Sequence, residues 1–315
     1  MLYAVLAIVV GLVLLVKSAD VFVESAATGA RHFGVSALVI GMVIVGFGTS
    51  APEIFISIIS ALENNPGIAV GNAYGSNIAN IGLILGITAA IRAIPFDKSL
   101  LKRELPFLLM ITGVAVVQIW DGMIDLVDGI ILFSLLGVFL FNASRSGKID
   151  ESDEPNEKPT QSLPRAIALF VVSFLVLLGS SRLMVWGAIE VAQTLGIDEI
   201  IIGLTIVAVG TSLPELASSI IAVRKNQHDI ALGNVIGSNI FNTLAVVGAS
   251  ALIRPISTAP EILSRDMIVM SALTVSLLII GLSGRQKPQI SRIVGILFLI
   301  TYTAYTLLLI SQATV

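Results

Sequence analysis

The sequence predicts an all-α integral membrane protein with ten transmembrane helices, arranged as two inverted-topology five-helix repeats in which helices 2, 3, 7 and 8 are broken. Composition is the first observation behind this prediction: of 315 residues, 56% are hydrophobic and 12% are charged, whereas about a quarter of a soluble domain is charged. Spacing is the second, because the apolar residues form blocks of about twenty, the length that one helix needs to cross a bilayer. The third observation is an internal repeat of long polar motifs.

The apolar blocks give five predicted spans before residue 144 and five after residue 163. Residues 144–163 carry eight charged residues and two prolines, a composition that does not bury enough apolar surface to fold. We therefore predict a first five-helix repeat at 1–143, a flexible cytoplasmic linker at 144–163 and a second five-helix repeat at 164–315. The ten predicted spans are 2–30, 36–61, 68–91, 104–120, 124–143, 164–193, 198–223, 229–253, 267–283 and 290–311.

The basic residues predict the orientation of the chain. If the amino terminus lies outside, 14 of the 18 lysine and arginine residues lie on the inner side. Arg254 and Arg265 lie outside, and Lys17 and Arg182 lie within or near spans. Because cytoplasmic loops carry an excess of basic residues, we predict a multi-pass protein of the cell (plasma or inner) membrane with both termini outside.

The internal repeat appears when the sequence is shifted by 162 residues, which aligns 36–92 with 198–254 without a gap. GTSAPE (48–53) matches GTSLPE (210–215), and GNAYGSNIAN (71–80) matches GNVIGSNIFN (233–242). Because five spans per half is an odd number, the second half would enter the membrane from the opposite side. Inverted repeats of this kind are an architecture of transporters. A duplication kept only for packing would preserve small and apolar positions, whereas the shared positions here include Glu, Asn, Ser and Thr.

Glu53 and Glu215 fall near the middle of apolar spans. An ionised group there costs about 2.5–3.5 kcal/mol on insertion scales, so each needs a partner, and a bound cation is the natural one. The alternative is a protonated glutamate that makes a structural hydrogen bond. Pro52 and Pro214 lack an N–H and leave upstream carbonyls without helical partners, so spans 2 and 7 should break at GTSxP and expose further oxygens.

The second motif contributes uncharged oxygen ligands. Its paired glycines permit close helix packing, and its serines and asparagines bring the total to six to eight oxygens, the number that calcium prefers. The motifs contain neither sulfur nor histidine, which argues against zinc and copper, while sodium remains compatible with the same oxygens. Asn77 and Asn239 could instead support the ligands or pair helices. The residues in question are Ser76, Asn77 and Asn80 and their counterparts Ser238, Asn239 and Asn242.

Charge suggests how such a site would work. With both glutamates ionised the empty site carries a charge of about −2, which is costly to move through a low-dielectric barrier. One calcium ion, two sodium ions or two protons would neutralise this charge. Reorientation only of the loaded site would make ion exchange obligatory.

These paired motifs resemble the α-repeats of the sodium/calcium exchanger family, within the cation/calcium antiporter superfamily, and the plan resembles its prokaryotic ten-span members. The resemblance implies sodium-driven calcium exchange by alternating access, with spans 1 and 6 sliding against the other eight. It implies that calcium is bound by Glu53 and Glu215 and by main-chain carbonyls of Thr49 and Thr211. It further implies that sodium is bound by the same two glutamates, Ser50, Ser212, Ser76, Ser238 and backbone oxygens near Gly46 and Ala208, with Asn80 and Asn242 lining the middle.

Asn242 departs from the pattern, because many relatives carry an aspartate at this position. A neutral amide can replace a protonated acid, so sodium/calcium exchange remains compatible with it, while potassium coupling is disfavoured. A proton-coupled calcium or cation exchanger remains the alternative, and a cation channel is a weaker rival because it needs no inverted repeat.

The sequence gives little support to an enzyme. It contains no cysteine, and the two histidines, His32 and His228, fall at predicted span ends. We expect no cofactor beyond the transported Ca²⁺ and Na⁺, no nucleic acid and no obligatory protein partner, with the lipid bilayer as the surrounding medium.

Overall fold

The computed structural model describes residues 1–96, 100–146, 161–195, 208–283 and 288–313, and helices dominate these residues. Most of the predicted linker and residues 198–207 of the predicted seventh span lie outside the described residues. The α-helices are α1 (Leu2–Phe33), α2 (Ala37–Val39), α3 (Gly46–Thr49), α4 (Ala51–Leu62), α5 (Gly67–Ala79), α6 (Gly86–Ile91), α7 (Leu105–Ile119), α8 (Leu126–Ser146), α9 (Leu163–Thr194), α10 (Ala208–Thr211), α11 (Leu213–Arg224), α12 (His228–Phe241), α13 (Gly248–Ile253), α14 (Met267–Gly281) and α15 (Arg292–Ala313).

Short π-helical segments join several of these helices, and four two-residue strands lie in the connections. In a π-helix the backbone bonds run from i to i+5, and such turns occur frequently at functional sites. The π-helical segments are Ile40–Val45, Asn80–Leu85, Leu100–Glu104, Asn242–Val247 and Ile262–Asp266, and the strands are β1 (Ile94–Pro95), β2 (Met123–Ile124), β3 (Ile256–Ser257) and β4 (Gln289–Ile290).

Seven helices in the described part of the chain are long and apolar enough to cross a membrane. The number rises to eight if Ala37–Thr49 and Ala51–Leu62 count as one bent span. This confirms an all-α protein with several membrane spans, whereas the number ten stays a prediction. The seven helices are Leu2–Phe33, Gly67–Ile91, Leu126–Arg145, Leu163–Thr194, His228–Ile253, Ile262–Gly281 and Arg292–Gln312.

The order of elements from α4 to α8 recurs from α11 to α15, including both π-helical segments that start at asparagine. The strands connect these two series, because β1 pairs antiparallel with β4 and β2 pairs antiparallel with β3. The long helices α1 and α9 pack against each other, with Gly11 next to Ser180 and Gly187 next to Ala4. These contacts show that α1 and α9 run antiparallel.

The predicted break in span 2 is present. Helices α3 and α4 are separated by Ser50, and the two parts of the span are bent by 43°. Ser212 separates α10 from α11 in the same way, with φ −90° and ψ 7° against −83° and −1° at Ser50. Each proline then lies in the first turn of the new helix, where its missing N–H has no intrahelical partner in any case.

The breaks predicted in the third and eighth spans, 68–91 and 229–253, are wrong. Gly67–Ile91 and His228–Ile253 each form one continuous span. Neither span has a proline in its interior, so every residue there keeps the N–H that a helix in a membrane must use. Each span instead widens into a π-helical turn that begins at Asn80 or Asn242.

Close backbone contact joins the bent second span to α12. A side-chain carbon added at Gly41 would lie 2.8 Å from the Ile230 carbonyl oxygen, and one added at Gly233 would lie 2.5 Å from that of Leu38. Glycine is therefore needed at both contact points, because small residues let helices approach closely. This contact places the GTSAPE segment of the first half against the GNVIGSNIFN segment of the second.

Candidate cation site

Glu53 and Glu215 are buried within the helical bundle, with 1% and 2% of their surface exposed. Each lies in the first turn of a helix that starts directly after a break, α4 or α11, where the helix dipole favours a negative charge. The two carboxyl groups lie near enough to repel each other. No lysine or arginine is buried in the described part of the chain, so charge compensation must come from bound cations or protons.

Thr49 connects the two halves at this point. Its hydroxyl donates to Asn234 Oδ1 at 3.0 Å, lies 3.3 Å from Ser238 Oγ and is within hydrogen-bonding reach of the Glu215 side chain. The Gly46 carbonyl oxygen lies 3.4 Å from both the Thr49 and the Ser238 hydroxyl oxygens. The break in span 2 and helix α12 therefore share one buried polar cluster.

The asparagines form a second cluster. Asn80 Nδ2 donates to Asn239 Oδ1 at 2.9 Å, and Asn77 Nδ2 donates to Thr243 Oγ1 at 3.0 Å. Asn239 Nδ2 contacts the Asn77 carbonyl at 3.5 Å. The amide N–H groups of Asn77 and Asn80 are thus used in bonds between helices, and their Oδ1 atoms have no partner.

Several buried oxygens near the break segments have no hydrogen-bond partner. Buried polar groups in folded proteins are almost always satisfied, and acceptors of this kind are suited to a positively charged partner. Of the twelve such oxygens in the described part of the chain, seven belong to residues that the sequence predicts for the site, and the other five lie on Ser25, Tyr74, Gln118, Gln161 and Thr258. The seven are Ser50 Oγ, Glu53 Oε1 and Oε2, Asn77 Oδ1, Asn80 Oδ1, Glu215 Oε2 and Asn242 Oδ1.

A cavity of about 580 Å³ leads towards this region between α9 and the broken spans. Its walls include Pro52 and Ile56 of α4, Arg182 of α9, and Thr211 and Pro214 beside the second break. The walls are mainly apolar and include Gly210, Thr211 and Pro214 of the GTSLPE segment. The cavity therefore borders the second break.

The comparisons with known proteins identify the family. The family model described as "Sodium/calcium exchanger protein" matches residues 3–144 and 165–311. The chain belongs to this family. The resemblance read from the repeated motifs is thus confirmed.

Relatives match this exchanger-family chain over nearly its whole length. Inner membrane protein YrbG of Escherichia coli (strain K12) is 40% identical over 306 residues, which cover 94% of each chain. Sodium/calcium exchanger MaX1 of Methanosarcina acetivorans is 33% identical over 348 residues, covering 96% of this chain and 97% of MaX1. The sodium-calcium exchanger NCX_Mj, solved after soaking with zero Na⁺ and Ca²⁺, matches with a TM-score of 0.85 at 35% identity, covering 96% of this chain and 98% of NCX_Mj.

The remaining predicted residues lie along the same segments. Ser76 and Ser212 are buried, and Thr211 lines the cavity. Ala208 begins α10. The Gly210 carbonyl, which the sequence left for a cation, accepts a hydrogen bond of 3.0 Å from Ser181 of α9. No group of three or more His, Cys, Asp or Glu residues suited to a metal occurs in the described residues.

Sequence analysis did not single out Asn72 and Asn234, whose side chains bond the backbone at Glu53 and Glu215. Asn72 Nδ2 donates to the Glu53 carbonyl and to Ser57 Oγ, at 3.4 and 3.2 Å. Asn234 Nδ2 makes the equivalent bonds to the Glu215 carbonyl at 3.3 Å and to Ser219 Oγ at 3.0 Å. Both occupy the second position of the repeated GN motif, so their identity in the two halves was the available signal.

Asn234→Ala is expected to weaken calcium binding by roughly tenfold, because it removes the hydrogen bonds from the Thr49 hydroxyl to Asn234 and from Asn234 to the Glu215 carbonyl, each of which contributes about 0.5–1.5 kcal/mol. Asn72→Ala should have a smaller effect, since Asn72 is only half-buried. Calcium titration of uptake rates measures both changes. Asn65→Ala, at an exposed turn, is the matched control, and equal affinities for Asn234→Ala and Asn65→Ala would contradict the positioning role.

Proposed function

We propose that this protein is a secondary active antiporter that exchanges Ca²⁺ for Na⁺ across the membrane by alternating access. The observation that carries the proposal is the set of unpaired buried oxygens on Glu53, Glu215, Ser50 and three asparagines. A set of acceptors without a buried protein cation suits hard cations that are held by oxygen alone. The names of MaX1 and NCX_Mj, a sodium/calcium and a sodium-calcium exchanger, support the same pair of ions.

The proposed ligand roles follow the sequence prediction. Calcium would be held between Glu53 and Glu215 with main-chain oxygens of Thr49 and Thr211, because a divalent ion cancels two carboxylate charges at once. Sodium would use the same glutamates together with neutral oxygens. The proposed sodium ligands are the side chains of Ser50, Ser212, Ser76 and Ser238 and the backbone near Gly46 and Ala208, with Asn80 and Asn242 lining the centre and Asn77 and Asn239 behind them.

The proposed topology has ten spans in two inverted five-helix repeats, with both termini outside and the linker in the cytoplasm. Three features support the inversion: the antiparallel contact of α1 with α9, the repeated order of elements, and the pairing of each strand with a strand of the other half. Inverted halves place a shared site near the bilayer midplane. Sliding of α1 and α9 over the rest would then expose that site to alternate sides.

A proton-coupled exchanger is the second candidate, because two mutually repelling carboxyl groups can also be neutralised by two protons. The deciding experiment is uptake of radioactive calcium into proteoliposomes under three conditions. An outward sodium gradient, an outward proton gradient and no gradient are compared in the same preparation. We expect uptake only with the sodium gradient, and uptake that follows the proton gradient while ignoring sodium would overturn the proposed coupling.

A further inference from the structure

We propose that Arg182 and Glu63 form a charge-reversed counterpart of the ion pair between Asp20 and Lys225, and that the two pairs close the cation site from opposite sides in alternate states. This inference rests on the alternating access proposed above. It assigns a role to four charged residues that the ion-binding chemistry does not use.

The pair at Lys225 is formed in the structure. Lys225 Nζ lies 3.0 Å from Asp20 Oδ1 and 2.9 Å from Glu24 Oε2. Lys225 directly follows the last residue of α11, and both acids lie on α1, so the contact ties the end of α11 to α1. Partial burial lowers the pKa of Lys225, but its hydrogen bonds to Glu24 and Asp20 outweigh this and raise the pKa overall. The ammonium group therefore stays charged.

The repeat relates this pair to two other charged residues. The shift of 162 residues that aligns the motifs carries Asp20 to Arg182 and Lys225 to Glu63. Glu63 directly follows α4 as Lys225 directly follows α11. The register of the long helices supports this match, since the same shift places identical residues at Leu15 and Leu177 and at Ser18 and Ser180. Both charges are reversed, so the attraction between the two positions is retained.

The second pair is not formed in this structure. In the described part of the chain, neither Arg182 nor Glu63 takes part in an ion pair. The 580 Å³ cavity instead lies between α9 and α4, with Arg182 and Ile56 among its walls. The cavity therefore lies on the side where Arg182 and Glu63 are not paired.

The cavity on the side of the formed pair does not reach a predicted ion ligand. It has a volume of about 620 Å³ and is lined by residues such as Asp20, Ile221 and Lys225, none of them a predicted ligand. Val23 of α1 is fully buried on this side, whereas its repeat counterpart Val185 of α9 lines the open cavity. Equivalent positions on α1 and α9 are therefore in different states: the one on α1 is covered, and the one on α9 faces a cavity.

Sliding of α1 and α9 would exchange these states. When α9 closes onto α4 as α1 now lies on α11, Arg182 approaches Glu63 and Lys225 leaves its acids. Exposed ion pairs are weak individually, so each pair would bias the equilibrium without trapping the carrier. The pairing also explains an arginine within the long apolar helix α9, because a charge inside a membrane span usually marks a polar cavity or a partner.

Cysteine labelling tests the proposal, because the chain contains no cysteine. Val185→Cys reports opening of the α9 side and Val23→Cys reports opening of the α1 side, and both are labelled with a maleimide in purified protein. We expect Lys225→Gln to raise labelling of Val23→Cys and lower that of Val185→Cys, by roughly two- to fivefold for the loss of exposed pairs. Arg182→Gln and Glu63→Gln should shift the two rates in the opposite direction.

Controls and a charge exchange make the outcome specific. Lys17→Gln and Arg165→Gln remove exposed basic residues of α1 and α9 and should leave both rates unchanged. Arg182→Glu alone should act like Arg182→Gln or more strongly, and Arg182→Glu with Glu63→Arg should restore the original ratio. A charge exchange that fails to restore the ratio, or shifts of the same sign from Lys225→Gln and Arg182→Gln, would overturn the proposal. Failure of the exchange function is separate, since it appears as absent sodium-driven uptake by the unmodified protein.

Discussion

Replacement of Glu53 or Glu215 by glutamine is expected to abolish sodium-driven calcium uptake while the protein remains folded. Glutamine keeps the shape of the side chain, but it removes one of the two negative charges that compensate a divalent ion for the loss of its hydration water. The mutual repulsion of the carboxyl groups disappears at the same time, so the unloaded protein should be no less stable. The loss therefore concerns ion binding and the loaded transition rather than folding.

Two measurements separate these effects. Uptake into proteoliposomes reports transport, and thermal unfolding with and without calcium reports binding, because a ligand at 100 times its Kd stabilises the folded state by about 2.7 kcal/mol. Calcium should raise the Tm of the unmodified protein and leave that of either variant unchanged. Glu190→Gln, at an exposed glutamate of α9, is the control for loss of a charge alone. Normal transport by Glu53→Gln or Glu215→Gln would place the site elsewhere.

The parts of the fold that follow from local chemistry could be predicted from the sequence. Long apolar blocks give α1, α8, α9 and α15, and the proline after Thr-Ser gives the break at Ser50. The repeated motifs also single out Glu53, Glu215, Ser50, Asn77, Asn80 and Asn242, each of which has an unpaired side-chain oxygen. The break could be predicted because the loss of a backbone N–H acts at the proline itself, whereas the ion-binding roles of these residues stay predictions.

The parts that depend on tertiary partners could not be predicted. The third and eighth spans keep their backbone hydrogen bonds and widen into π-helical turns at Asn80 and Asn242. Whether a helix breaks or widens there depends on the packing around it. The Ser181 hydroxyl that satisfies the Gly210 carbonyl comes from a different helix. Asn72 and Asn234 act on carbonyls 19 residues away, so their role appears only once α4 lies beside α5 and α11 beside α12.

The second large effect is expected at a glycine rather than at an ion ligand. Gly237 lies on α12 where it meets the second span, and a methyl group there would overlap the backbone carbonyl of Met42. A backbone atom has no alternative rotamer, so Gly237→Ala requires the two helices to separate. Overpacking of this kind typically costs about 1–3 kcal/mol, and we expect a fall in Tm of roughly 5 °C.

Separation of these helices should also impair transport. Asn234 and Ser238 lie on α12 and contact Thr49 at 3.0 and 3.3 Å, so a displacement of about an ångström breaks the contacts that join the halves at the site. We expect Gly237→Ala to reduce calcium uptake by roughly tenfold or more, as for loss of the buried bonds themselves. Gly137→Ala is the control, because nothing described lies within 4 Å of a methyl group there. If Gly237→Ala lowered the Tm but left uptake and calcium affinity unchanged, the contact between α12 and the broken span would be structural only, and the shared site between the halves would have to be abandoned.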